Sequence, residues 1–309
     1  MIRVPLTTAI VLAFLVSAPH ATEYRGLCEA SAGAFLDDKH FVVASDETNV
    51  LQLYERGKPT RIGNGIDLTG FTTFDKSDLE GAAVIGDRVY WISSHSFNRS
   101  GEDKATRKVF FATTIDRTGG SPTLKPAGKA FKTLRDPLVK ALDVEPGALN
   151  IEALAATPEG GLIIGLRAPL RVVNGEKKAI AVLLKNPAAV VDQGSPPEFG
   201  TTLTLGLGGR GLRSMDRLEG GADYIIVAGP VEDGEGFAIY RWAGPGHEPV
   251  LSDPQPTLSG LTPEGAMAVP GQNNLVQLLS DDGKVNGATC DDENDPIENR
   301  KFRSIDVKP

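Results

Sequence analysis

Apolar residues in this chain come in short runs separated by polar, turn-rich stretches, and the runs recur on one plan. Five segments open with a charged residue followed by small and apolar residues: Cys28-Glu29-Ala30-Ser31-Ala32, Leu79-Glu80-Gly81-Ala82-Ala83, Ile151-Glu152-Ala153-Leu154-Ala155, Leu212-Arg213-Ser214-Met215-Asp216 and Pro263-Glu264-Gly265-Ala266-Met267. A second apolar run follows each at a nearly constant distance: Phe41–Ala44, Val89–Ser93, Leu162–Gly165, Tyr224–Ala228 and Leu275–Leu279. A third comes after it: Val50–Tyr54, Val109–Thr113, Ile180–Leu184, Phe237–Trp242 and Phe302–Val307. β-Branched and aromatic residues dominate these runs, which reads as strand. Continuous rather than alternating apolarity fits strands covered on both faces.

The charged starts recur at intervals of 51, 72, 61 and 51 residues. A four-stranded blade needs ~40–45 residues, with the excess in loops. The pattern predicts an all-β chain, a β-propeller of five four-stranded blades with the small-residue starts as the crowded inner strands. A β-sandwich is the alternative, but it predicts no fixed offset between start and strand. Helix is expected only at Leu138–Leu142, behind Asp136-Pro137, and at Ala188–Val191, behind Asn186-Pro187. The 35 glycines and 21 prolines punctuate turns. No stretch is long enough to serve as a linker, so residues 22–309 read as one domain. The last unit lacks a fourth strand, which Glu23–Leu27 can supply from the other end of the chain. That closure would bring Cys28 near Cys290, the only other cysteine, and predicts a disulfide.

Residues 1–21 stand outside the repeat. Arg3, the apolar run Ala9–Val16 and the small residues Ser17 to Ala21 have the order of a secretory signal peptide. The run is shorter than the ~20 residues a membrane span requires; an uncleaved anchor is the alternative. The expected location is periplasmic or secreted, with no membrane span after cleavage. A formal charge of −8 argues against a nucleic-acid partner.

The segments CEASAGAFLDDKHFVVASDETNVLQLY, DLEGAAVIGDRVYWISSHSFN, NIEALAATPEGGLIIGLRAPL, GLGGRGLRSM, YIIVAGP and LTPEGAMAV with LLSDDG resemble a bacterial family of unassigned role, domain of unknown function 3616. The resemblance runs from Cys28 to Gly283. More distantly, the Glu-Gly-Ala starts resemble exported esterase-like or phytase-like propellers. The family implies the propeller and brings no settled activity with it.

Strand starts and strand ends of a propeller can face its axis. The starts offer Glu29, Glu80, Glu152, Arg213 and Glu264; the ends offer Asp46, His95, Arg167, Asp281 and Asp282. Converging carboxylates repel and need protons, ion pairs or a cation. Glu29, Glu264 and Asp281 are candidate ligands for a hard cation such as Ca²⁺, which takes 6–8 oxygens. Arg167, Arg213 and Asp46 are candidate ligand-binding residues, the two arginines gripping an anion. Glu80, Glu152 and His95 are candidate catalytic groups, His95 because imidazole titrates near neutral pH. The alternatives are a structural ion-pair ring and a histidine satisfied within the fold. Gly206 to Gly211 matches GxGxxG, but no helix or acidic strand end follows, so no nucleotide cofactor is expected. No GxSxG or HExxH is present. Asp291 to Asp295 reads as a solvated acidic loop. Two functions remain open: a cation-assisted hydrolase of phosphate or carboxylic esters, and a non-catalytic propeller that binds a small anionic molecule or a periplasmic protein.

Overall fold

The computed structural model describes residues 21–283 and 296–309. The leader, Cys290 and the acidic run Asp291 to Asp295 lie outside the described residues. Strand β1 (Thr22–Arg25) precedes the first blade, which is β2 (Ala32–Phe35), β3 (His40–Ala44), β4 (Val50–Glu55) and β5 (Arg61–Asp67). The second blade is β6 (Leu79–Ile85), β7 (Arg88–Ser93), β8 (Phe110–Asp116) and β9 (Thr123–Phe131). The third comprises β10 (Asn150–Ala156), β11 (Leu162–Ala168), β12 (Arg171–Val173), β13 (Glu176–Leu184) and β14 (Phe199–Leu205). Here β14 is the outer strand and β12 forms a short hairpin with the start of β13. The fourth is β15 (Gly211–Arg217), β16 (Tyr224–Gly229), β17 (Ala238–Trp242) and β18 (Val250–Leu251). The fifth is β19 (Pro263–Ala268), β20 (Val276–Ser280) and β21 (Lys301–Val307), completed by β1.

The chain is a five-bladed β-propeller with antiparallel blades. Inner strands β2, β6, β10, β15 and β19 pack in sequence order around the axis, and β19 returns to β2. Small residues permit that approach. A Cβ on Gly81 would sit 2.9 Å from Leu154 of the next blade, and one on Gly211 would collide with the Arg167 carbonyl oxygen.

Closure follows from sequence at both ends. β1 pairs antiparallel with β21 in the register Thr22↔Ser304 to Arg25↔Lys301. Tyr24 anchors it: the ring is buried, stacks on Phe302 at 5.2 Å and meets Phe41 and Tyr54 edge-on. Its hydroxyl accepts the Gly57 amide at 2.9 Å. Cys28 is buried just beyond β1; its expected pairing with Cys290 lies outside the described residues.

Three short helices are described: α1 (Thr69–Thr72), α2 (Arg135–Leu142) and α3 (Pro187–Gln193). The last two are the expected ones. Asp136 sits inside the first turn of α2 rather than capping it, because Leu134 holds the N-cap. No helix is long and apolar enough to cross a membrane among the described residues.

Four inner strands share an irregularity that decides where charge goes. In pairing with the second strand, the register skips Glu80 between Leu79 and Gly81, Glu152 between Ile151 and Ala153, Arg213 between Leu212 and Ser214, and Glu264 between Pro263 and Gly265. A bulged residue is released from the ladder and its side chain re-aimed. Four residues further on, Val84, Ala156, Arg217 and Ala268 line one cavity, and Phe35 joins them from the first blade. Counting back four from Phe35 gives Ser31. Glu29 therefore does not occupy the repeated slot; it stands two residues ahead of it, in an isolated bridge with Asp281.

Candidate functional site

The four bulges place Glu80, Glu152, Arg213 and Glu264 on the axis, and the ring they form divides into two halves. One half is neutralised by arginine. Arg213, 3 % exposed, places Nε 2.8 Å from Glu152 Oε2, and its Nη2 reaches Glu264 Oε1. Arg167, at the end of β11, donates from Nη1 to Glu152 Oε1 at 2.9 Å, from Nη2 to Asp233 Oδ1 at 3.0 Å and from Nε to the Val231 carbonyl at 2.7 Å. Both guanidinium groups face carboxylates of their own chain. The expected two-arginine grip on an anion is not the arrangement found: the bulges aim Arg213 sideways at its ring neighbours rather than out of the ring.

The other half brings several carboxylates together, with an arginine on Asp78. One carboxylate oxygen from each of Asp46, Asp78 and Glu80 lies within 4.8 Å of the others, and Asp46 shares a second such group with Glu29 and Glu47. Asp78 has partners: Arg107 Nη2 at 3.0 Å and the Ser94 hydroxyl. The charges acting most on Glu80 are Asp78, Glu152, Asp46 and Glu264, all carboxylates. Those acting on Asp46 are Glu29, Asp281, Asp78 and Glu264. Asp46 Oδ1 is buried and has no hydrogen-bond partner among the described residues.

Protonation follows the same division. Burial, reinforced by those neighbours, holds Asp46 and Glu80 well above the usual carboxylate range. Burial also raises Asp78, with Arg107 and Ser94 opposing. Burial pushes Glu264 up to about 7 against the pull of Arg213, and raises Glu152 against both arginines.

His95 lies apart from this cluster. It is fully buried, takes φ 55°, and sets Nδ1 2.9 Å from the Ser93 carbonyl oxygen. Burial lowers it to about 4, and the charges it feels are Arg135 and Lys108 rather than ring carboxylates. Register explains the difference. Asp46, Arg167 and Asp281 each stand two residues past the partner of the first inner-strand residue after the slot. In the second blade that place belongs to Ser94, and a one-residue offset turns His95 to another face. Asp282 is likewise turned away and held by Arg303 through Nε and Nη2, both at 2.7 Å. Of the three expected cation ligands, Glu264 is taken by Arg213, Glu29 belongs to the second carboxylate group, and Asp281 lies within electrostatic reach of Asp46.

Sequence reasoning missed Asp78, Glu47 and Arg107. The signal for Asp78 was its position two residues before Glu80, matching Glu29 before Ser31. The GxGxxG stretch is the turn between β14 and β15, with Gly208 at φ 63° and Gly209 at φ 78°, and leads into a strand.

These side chains can hold a hard cation. Three carboxylates at this spacing supply oxygen donors and leave coordination positions for water or a ligand oxygen. Histidine and cysteine are absent from both groups, which disfavours softer metals.

No family model matches the chain, and no curated protein matches it. Solved structures similar to it include the PQQ-bound aldose sugar dehydrogenase of Streptomyces coelicolor, with 13% identity over 94% of this chain and 100% of that chain and a TM-score of 0.43. Glutaminyl cyclase of Myxococcus xanthus shares 11% identity over 94% of this chain and 96% of that one, at a TM-score of 0.40. The β-propeller domain of Cps50 (Swd1) from Myceliophteria thermophila shares 9% over 91% and 97%, at 0.37. Likeness at this level says nothing about chemistry.

Proposed function

We propose that this chain is an exported propeller that binds a hard divalent cation of the calcium class at the carboxylate half of its axial ring, and that the site hydrolyses a phosphate or carboxylic ester. The observation that carries the reading is the trio Asp46, Asp78 and Glu80, whose oxygens crowd together and in which the strongest charges acting on Asp46 and Glu80 are carboxylates. Such a trio must take up protons or a cation. A bound cation would polarise the ester oxygen and make a water more acidic.

The remaining roles fall to residues around the trio. Arg107 donates from Nη1 to Ser96 Oγ at 2.8 Å while its Nη2 lies on Asp78, so one guanidinium stands at the rim beside an anionic substrate. Glu264, at about 7, is able to give or take a proton near neutral pH, while Arg213 keeps it in place. Arg167, Arg213 and Glu152 are positioning residues that hold the ring's neutral half rigid.

Phosphate and carboxylic esters, offered to the protein with Ca²⁺ and with excess chelator, test the reading. Turnover that needs the cation and is lost in Glu80→Gln supports hydrolysis. Cation binding without turnover of any ester rejects hydrolysis and leaves a cation-dependent binding propeller.

A further inference from the structure

The inner strands open at their other ends into a cavity of about 430 Å³. Three to four residues separate Arg213 from Asp216 and Arg217, or ~10–13 Å of strand, so this cavity is distinct from the carboxylate ring. Each blade contributes the residue four beyond its slot: Phe35, Val84, Ala156, Arg217 and Ala268. Four are apolar and one is arginine. Asp216 lies beside it. Its Oδ1 accepts the Arg217 amide and its Oδ2 the Ala268 amide, both at 2.8 Å, which fixes the carboxyl in the cavity wall. Among the described residues the Arg217 guanidinium makes no ion pair or hydrogen bond, whereas Arg213 and Arg167 make several.

We propose that this cavity binds a small hydroxycarboxylate, with the ligand's carboxylate on the Arg217 guanidinium and a hydroxyl on the Asp216 carboxyl. The volume lies within the ~300–1,000 Å³ of small-molecule sites. Arg217 is the one basic side chain in the lining; Glu219 also borders the cavity and turns Oε2 onto the Gly271 amide, so the guanidinium is the group that can meet a compact anion, and its planar fork suits a carboxylate. Each Asp216 oxygen already accepts one amide and keeps a lone pair for one more donor. Burial pushes this carboxyl up to about 6, against the two amides and the Arg217 charge. A hydroxyl can donate to the ionised form and accept from the protonated one; an ammonium can only donate. The inference is independent of the ester chemistry proposed for the other end.

Chelator-treated protein titrated calorimetrically with L-malate and tartrate tests it, with succinate as the hydroxyl-free control. Saturable binding of the hydroxy acids, weaker for succinate, is expected. Arg217→Gln should weaken it roughly tenfold or more, the effect of one charge-assisted hydrogen bond. Ala82→Leu, which fills the cavity from β6, should abolish it, and Asp46→Asn at the other end should leave it unchanged. No saturable binding by either hydroxy acid, binding of succinate as tight as malate, or unaltered binding in Arg217→Gln would each overturn the proposal.

Discussion

Replacing Arg213 by methionine removes the charge that compensates two buried glutamates. The structure sets both the magnitude and its pH dependence. Breaking a buried ion pair from one side costs about 3–5 kcal/mol when the other partner stays charged. Glu152 and Glu264 can escape that cost by protonating. Burial already lifts Glu264 from 4.5 to about 7 with Arg213 in place, and Arg213 is the largest influence holding it down. A carboxyl raised on folding contributes stability that is complete below its unfolded pKa and is lost as pH rises through the folded one. Removing Arg213 raises Glu264 further, so Arg213→Met loses more with rising pH than the wild type does. At pH 5 the two glutamates are neutral in the variant and most of the penalty disappears. At pH 8 the full penalty applies, roughly 6–20 °C in melting temperature at ~2–4 °C per kcal/mol. Circular-dichroism melts of both proteins in excess chelator at the two pH values measure it. Adding Glu264→Gln to Arg213→Met should recover part of the loss at pH 8 only. Equal losses at both pH values, or a loss under ~2 °C at pH 8, would refute this account of the ring.

Three further outcomes are expected. Tyr24→Ala empties the aromatic cluster that holds β1 to the fifth blade and should cost about 3–5 kcal/mol in urea unfolding, as other buried aromatic truncations do; a cost below ~1 kcal/mol would mean the closing strand is held elsewhere. Gly211→Ala drives a methyl group into the Arg167 carbonyl and should cost ~1–3 kcal/mol through backbone displacement, read from the same denaturation curves. Thiol titration of denatured, unreduced protein should find no free cysteine, the result of a Cys28–Cys290 bridge, whereas two titratable thiols would reject it.

The propeller was legible because its signal is redundant. Five small-residue starts, each followed by two apolar strands, leave few ways to pair; the segments fall on strands in the expected order except the first start, Cys28 to Ala32, of which only Ala32 lies in a strand. The site was half legible. Glu80, Glu152, Arg213 and Glu264 reach the axis because their neighbours Leu-x-Gly, Ile-x-Ala, Leu-x-Ser and Pro-x-Gly keep the ladder while the middle residue bulges. Glu29 and His95 were misaligned by two residues and one residue. An apolar pattern tolerates such slips where Ala30, Ala32 and Gly33 all suit an inner strand, yet each slip re-aims a side chain. The engagement of Arg167 by Val231 and Asp233, in the loop after β16, is a long-range contact that no local pattern encodes.

A hard cation held by Asp46, Asp78 and Glu80 is the core of the proposed site. Calorimetric titration of Ca²⁺ into chelator-stripped protein tests it most directly, alongside Glu80→Gln and Asp46→Asn. One saturable site is expected in the wild type, tighter at pH 8 than at pH 6 because binding displaces protons from raised carboxyls, and lost in both variants. Absence of Ca²⁺ binding at pH 8, or binding of wild-type strength in both variants, would contradict it.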